Sequence, residues 1–260
     1  MWQVYALTGF MPFGLWVHTR FFFELAGVAA TPSTIASICV GTSCTYVFDR
    51  VVEQPGDRTP TSSVHHKAMR NKTFSYSFMA LCAFVGAFTM DWKAIRTAAV
   101  CAVMCVWYSV PLPGFGLRIK ELFPLSKTAF VPFMHVVWPY GCAGVWPSLA
   151  AGAALWFSVS ASTIYMDVKD IAADRQDGVV TLPTVLGHTR SLGVLAGVYA
   201  SAAVLTTTAF PTARGVALAC SYALHAIAMA RYAATHETPT IRFCNLSWCA
   251  PWLLTCALRM

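Results

Sequence analysis

Charge is scarce in this sequence: 11% of its 260 residues are Asp, Glu, Lys or Arg, against about 25% in an ordinary soluble domain. With 57% of the chain hydrophobic, that scarcity excludes a solvated globular surface. Acids are rarer than bases, 11 against 18, so any place where they gather calls for a reason. A basic start is missing from the first ten residues and no small-residue cleavage site follows, which predicts an N-terminal span rather than a cleavable signal. Paired Cys and His spacings of the metal-binding kind are also missing. The ten cysteines fall almost entirely inside apolar runs, which predicts buried free thiols rather than disulfides. Cys101 and Cys105 stand one helical turn apart, but no second Cys or His pair lies near them, and the adjacent His65 and His66 would point apart on a helix.

Apolar runs are what the sequence has in quantity. Crossing the hydrocarbon core takes about 20 apolar residues. Nine runs qualify, roughly 3–26, 31–53, 73–91, 94–111, 128–144, 148–168, 190–209, 213–234 and 241–259, and together they make residues 1–260 a single all-α membrane domain. The first is interrupted by His18, Arg20 and Glu24, and the second opens on Thr31-Pro32-Ser33, with a proline where the first helical turn tolerates it. Nine spans with an inside N-terminus put the connections 54–72, 112–127, 169–189 and 235–240 on one side. Arg50, Arg58, Lys67, Arg70, Lys72, Arg118, Lys120, Lys127, Lys169, Arg175, Arg190, Arg231 and Arg242 lie there, against Lys93, Arg96, Arg214 and Arg259 opposite. The positive-inside rule predicts that the first side faces the cytoplasm or its topological equivalent. Basic residues shared out between apolar spans exclude a nucleic-acid binder.

Acids gather twice on that same side. In YMDVKDIAADRQDGVVTLPTVLG, from Tyr165 to Gly187, four aspartates fall at 167, 170, 174 and 177. Carboxylates at a membrane helix end are costly, which makes function the default reading. Asp170 and Asp174 stand four apart, so a helix brings them to one face, about 5–6 Å between Cβ atoms, where they repel unless a cation intervenes. Mg²⁺ is the natural occupant, because it takes carboxylate oxygen and completes its shell with water and phosphate. Asp49 and Glu53 repeat the four-residue spacing at the end of the second run. Arg118, Lys120 and Lys127 lie over the same face. Acids with cations suit a diphosphate, held through Mg²⁺ by the acids and directly by Arg and Lys. Lipid headgroup contact accounts for the cations alone. His135, in the fifth run, reads as a side chain that satisfies a neighbouring backbone group.

Asp167-x-x-Asp170-x-x-x-Asp174-x-x-x-Gly178-x-x-Thr181-Leu182-Pro183, followed by Gly187, resembles the second motif of the UbiA-type intramembrane prenyltransferases. Thr45-x-x-x-Asp49-Arg50-x-x-Glu53 is similar to the first, usually Asn-x-x-x-Asp-x-x-x-Asp, with Thr45 in place of the amide and Glu53 in place of an aspartate. The span count and the basic connection after Tyr108-Ser109-x-Pro111 extend the likeness to the whole chain, although the loop after the first motif lacks the usual Asn-x-x-x-x-Arg-Pro. What the resemblance implies is nine membrane helices around a central cavity. It implies an isoprenyl diphosphate bound through Mg²⁺ to Asp49, Glu53, Asp170 and Asp174, with Asp167 as the flanking acid. Thr45, Arg50, Arg118, Lys120, Lys127 and Lys169 join as substrate-binding residues, and the isoprenyl tail lies among apolar helices open to the bilayer lipids. The group would pass to a small acceptor, expected to be aromatic.

Two other readings stay open. A terpene cyclase on the same scaffold would use one diphosphate and no acceptor, and a transporter or lipid-binding protein would use the charges for a coupling ion or a headgroup. Transporter sites sit near mid-membrane on broken helices, whereas both acidic groups here fall at span ends.

Overall fold

The computed structural model describes residues 19–52, 72–111, 113–114, 116–176 and 178–235, apart from the side chains of Arg50 and Lys169. Among these residues there is no strand. A helical stretch over 19–25 closes at Gly27, whose φ of 67° suits a residue without Cβ. Helix α1 (Pro32–Val51) starts on Thr31, whose hydroxyl accepts from the Thr34 N–H at 3.1 Å, with the proline in its first turn as the sequence leads one to expect. Helix α2 (Lys72–Thr89) and α3 (Trp92–Ser109) form a hairpin, with the Asp91 carboxylate capping α3 through the Ala94 N–H. After a short 3-10 turn at Ile119–Glu121 come α4 (Ser126–Ala143) and α5 (Leu149–Lys169). Two short helices, α6 (Ile171–Gln176) and α7 (Leu182–Leu186), lead into α8 (His188–Ala209) and α9 (Ala213–Thr235).

The second to eighth expected spans thus correspond to single helices of 18 to 23 residues. The ninth, and the first as far as residue 18, lie outside the described residues. By length and composition alone, Leu149–Val168, His188–Ala209 and Ala213–Thr235 are apolar enough to cross a membrane. Large apolar side chains such as Phe84, Phe88, Leu224 and Ile227 face outward, an exterior that suits lipid and not water.

Successive long helices run antiparallel. The Ser33 hydroxyl at the start of α1 donates to the Thr89 carbonyl at the end of α2, while Val47 near the end of α1 packs on Phe74 and Phe78 near the start of α2. Helix α4 lies against α1, α3 and α5, and α8 against α5 and α9. Consequently α1, α3 and α5 finish at the end where α2, α4 and α8 begin. Phe22 and Phe23 join the core edge-to-face with Phe210 and Tyr140, alongside Leu155, Leu192, Leu195 and Met229. At the remote end Glu24 pairs with Arg20 at 3.0 Å and Arg214 at 3.6 Å, which accounts for the charges interrupting the first run.

One close approach fixes α1 against α4. The Trp138 indole donates to the Ile38 carbonyl at 3.2 Å, and a Cβ on Gly41 would lie 2.1 Å from that ring. Small residues let membrane helices meet this closely. Gly41→Ala is expected to destabilise the protein by overpacking, about 1–3 kcal/mol, read as a lower melting temperature in detergent, with partial recovery when Trp138→Phe is added. An unchanged melting temperature would mean that the two helices do not meet here.

Candidate functional site

Two helix ends present the first acidic motif. Ser109, the last residue of α3, donates its hydroxyl to Asp49 Oδ1 at 2.9 Å. One turn back on each helix Thr45 lies beside Cys105, so residues four apart on α1 face residues four apart on α3. The Ser109 bond holds Asp49 in a half-buried position without neutralising it. Glu53, the other acid of this motif, lies outside the described residues, as do the side chains of Arg50 and Lys169.

The second motif is built across a break. Helix α5 ends at Lys169, and Asp170, with φ −101° and ψ 12°, caps it by returning its N–H to the Met166 and Asp167 carbonyls. The Asp174 N–H then takes the Asp170 carbonyl at 2.9 Å. Asp170 and Asp174 therefore share the first turn of α6, and the kink at Asp170 separates this pair from Asp167 on α5. Gly178, with φ 68°, turns the chain out of α6, and Thr181 caps α7, where Pro183 sits harmlessly in the first turn. The Thr-Leu-Pro of the motif is thus a helix start.

Lys127, at the start of α4, is the partner of this cluster. Its Nζ stands 2.8 Å from Asp167 Oδ1 and 3.2 and 3.3 Å from the two oxygens of Asp174. Asp167 is 1% exposed, and its second oxygen is buried with no hydrogen-bond partner. Burial pushes the Asp174 carboxyl above the usual aspartate range; Lys127 pulls it back and Asp170 adds to the rise. Lys127, expected as a ligand of substrate, is held here by two of the acids.

The connection between α3 and α4 brings the remaining cations to the same end. Trp107 ties it down by donating to the Leu117 carbonyl at 3.2 Å. Arg118 is ion-paired with Glu121, whose carboxyl the guanidinium holds below the usual glutamate range. Lys120 lies over the Tyr108 ring at 5.6 Å, and that ring stacks on Phe130 and neighbours Lys127 electrostatically. Through Ser109 and Tyr108, adjacent on α3, the two acidic groups belong to one end of the structure.

Sequence reasoning missed Glu121 and the role of Ser109. The three-residue spacing from Arg118 was a signal for the first; only position at a span end marked the second. His135 bonds the Val131 carbonyl, as the bland reading expects. The described cysteines are free. Among the described residues no three acids, histidines or cysteines converge on one point. The oxygen-only donor set and the unpartnered Asp167 oxygen nonetheless fit Mg²⁺, which usually takes one or two carboxylates and finds its other ligands in water and phosphate.

Residues 7–248 match the family model described as the UbiA prenyltransferase family. A curated relative, the digeranylgeranylglyceryl phosphate synthase of Natronomonas pharaonis, is 31% identical over 178 residues, 65% of this chain and 60% of that protein. The match thus spans less than two thirds of that relative's length. The apo structure of a UbiA homologue from Aeropyrum pernix K1 shares the fold at TM-score 0.72 and 16% identity, over 96% of each chain. A UbiA homologue from Archaeoglobus fulgidus bound to GPP and Mg²⁺ does so at TM-score 0.66 and 12% identity, over 97% of this chain and 99% of that one.

Lys127→Met leaves Asp167 buried without its counter-ion, so a loss of about 3–5 kcal/mol is expected in thermal or denaturant unfolding. Adding Asp167→Asn should recover much of it. Additive losses in this double-mutant cycle would show that the two charges do not interact.

Proposed function

The chain belongs to the UbiA prenyltransferase family, and on that footing we propose that it moves an isoprenyl group from an isoprenyl diphosphate to a second molecule inside the membrane. One arrangement supports the reading above all: Asp49, Asp167, Asp170 and Asp174 lie at the same end of apolar helices as Lys127, Lys120 and Arg118, with Lys127 paired to Asp167 and Asp174. Asp49, Asp170 and Asp174 would hold Mg²⁺, with Glu53 completing the first motif. When bound, Mg²⁺ neutralises charge on the diphosphate.

The chain's own residues do the rest. Ser109 orients Asp49, and Lys127 carries N–H donors that can pass from carboxylate to phosphoryl oxygen. Arg50 and Lys169 stand next to the two motifs as further cations. The allylic C–O bond breaks with its electron pair leaving on the diphosphate, and the acceptor's nucleophilic atom bonds to the allylic carbon and gives up its proton. Charge stays at the helix ends while the tail lies among apolar side chains and bilayer lipid. Membership makes the chain an integral membrane protein; the basic connections favour a cytoplasmic acidic end.

Relatives bear on the acceptor. The curated match is named for a glyceryl phosphate product, which favours a hydroxyl of a phosphorylated glyceryl amphiphile over an aromatic ring. The donor class is favoured by the solved homologue bound to GPP.

Purified protein in detergent, given labelled geranyl, farnesyl or geranylgeranyl diphosphate with either acceptor, is expected to form product only with Mg²⁺. Product formed without any acceptor would favour the cyclase. Asp49→Ala and Asp170→Ala should each lower turnover by about two or more orders of magnitude, the scale of lost electrostatic stabilisation of a leaving group. Full turnover by Asp170→Ala in EDTA would sink the reading. Thr45→Val, which removes the hydroxyl one turn before Asp49, should lower kcat/KM by about tenfold, or 1.4 kcal/mol; parental activity would make Thr45 a packing residue.

A further inference from the structure

Three cations lie over the acidic end in the connection between α3 and α4, and two are already engaged. Lys127 is held by Asp167 and Asp174, and Lys120 by the Tyr108 ring. Arg118 differs. It is 6% exposed, its Nη2 meets Glu121 Oε1, and its backbone N–H donates to Glu121 Oε2 at 2.8 Å. A single carboxylate therefore grips the residue at both ends, across the 3-10 turn that the Glu121 N–H closes by donating to the Arg118 carbonyl at 3.0 Å. Nη1 is buried and has no acceptor. A buried donor without a partner is costly to keep, so its retention calls for an occupant.

We propose that Glu121 is a positioning residue that clamps Arg118 and so keeps Nη1 presented to one phosphoryl oxygen of a substrate, a role that rests on the prenyl-transfer reading above. A rigid guanidinium N–H suits such an oxygen better than an ammonium on a flexible stem. Because Glu121 offsets the charge of Arg118, the contact works by direction more than by net attraction. Two sources carry that oxygen: the diphosphate of the donor, and the phosphate of an acceptor built on glyceryl phosphate.

Calorimetric titration of the full chain in lipid nanodiscs separates them. The probes are geranylgeranyl diphosphate with Mg²⁺ and, separately, geranylgeranylglyceryl phosphate. Glu121→Gln and Arg118→Lys are each expected to weaken the same one of these ligands by about tenfold, the scale of one charge-assisted hydrogen bond, and to leave the other unchanged. Which ligand weakens names the source. Glu121→Asp should recover part of the loss. Coulomb's law alone predicts the opposite sign for Glu121→Gln, since removing a negative charge beside an anion site tightens binding. Tighter or parental binding by Glu121→Gln would overturn the proposal, with the open N–H left to water. So would equal weakening of both ligands together with a lower melting temperature, which marks a structural strut. A parent that binds neither ligand would defeat the prenyl-transfer reading itself, whereas a parent that binds, matched by its variants, defeats only the clamp.

Discussion

Two carboxylates share one buried ammonium where α4 begins and α5 ends, and the rest of the acidic end is arranged around that contact. Taking three charges out of water is expensive, and removing the ammonium leaves both carboxylates uncompensated. The ion pairs thereby fix how α4 docks on α5, and they hold α6 to both through Asp174. They also leave the cluster one positive charge short. Asp167 keeps a buried oxygen open and Asp170 stands close enough to raise its neighbour, so the apo protein already has the charge deficit that a divalent cation would fill.

The first motif is held differently. Asp49 faces a neutral hydroxyl, not a cation, and the Ser109 bond ties the end of α3 to the end of α1. A serine donor orients a carboxylate without cancelling its charge. One group of acids is thus counter-charged and buried while the other is oriented and half-open, an asymmetry that suits the binding and release of an anionic headgroup. At the remote end the contrast is plain: Arg20, Glu24 and Arg214 satisfy one another.

Much of this was legible from residue order. Apolar run length foretold the helices from α1 to α5, α8 and α9, because a bilayer demands a fixed length of helix. The spacing of Asp167, Asp170 and Asp174 marked the second motif, and Thr45 with Asp49 marked part of the first. Less legible was the kink at Asp170: a single residue's dihedrals decide whether a helix continues, and aspartate is compatible with either outcome. Glu121 went unread because its one signal, the three-residue spacing from Arg118, lies in a short turn outside any apolar run.

By itself the sequence determined that the chain is helical and membrane-embedded and that its acids fall at helix ends, since these follow from composition, run length and local spacing. Only the tertiary structure decided which charge meets which. Lys127 lies 40 residues from Asp167 and 47 from Asp174 in the chain, and Ser109 lies 60 from Asp49. No local pattern can encode such pairings. They arise because antiparallel packing returns distant helix ends to one place, where burial forces each charge to find a partner.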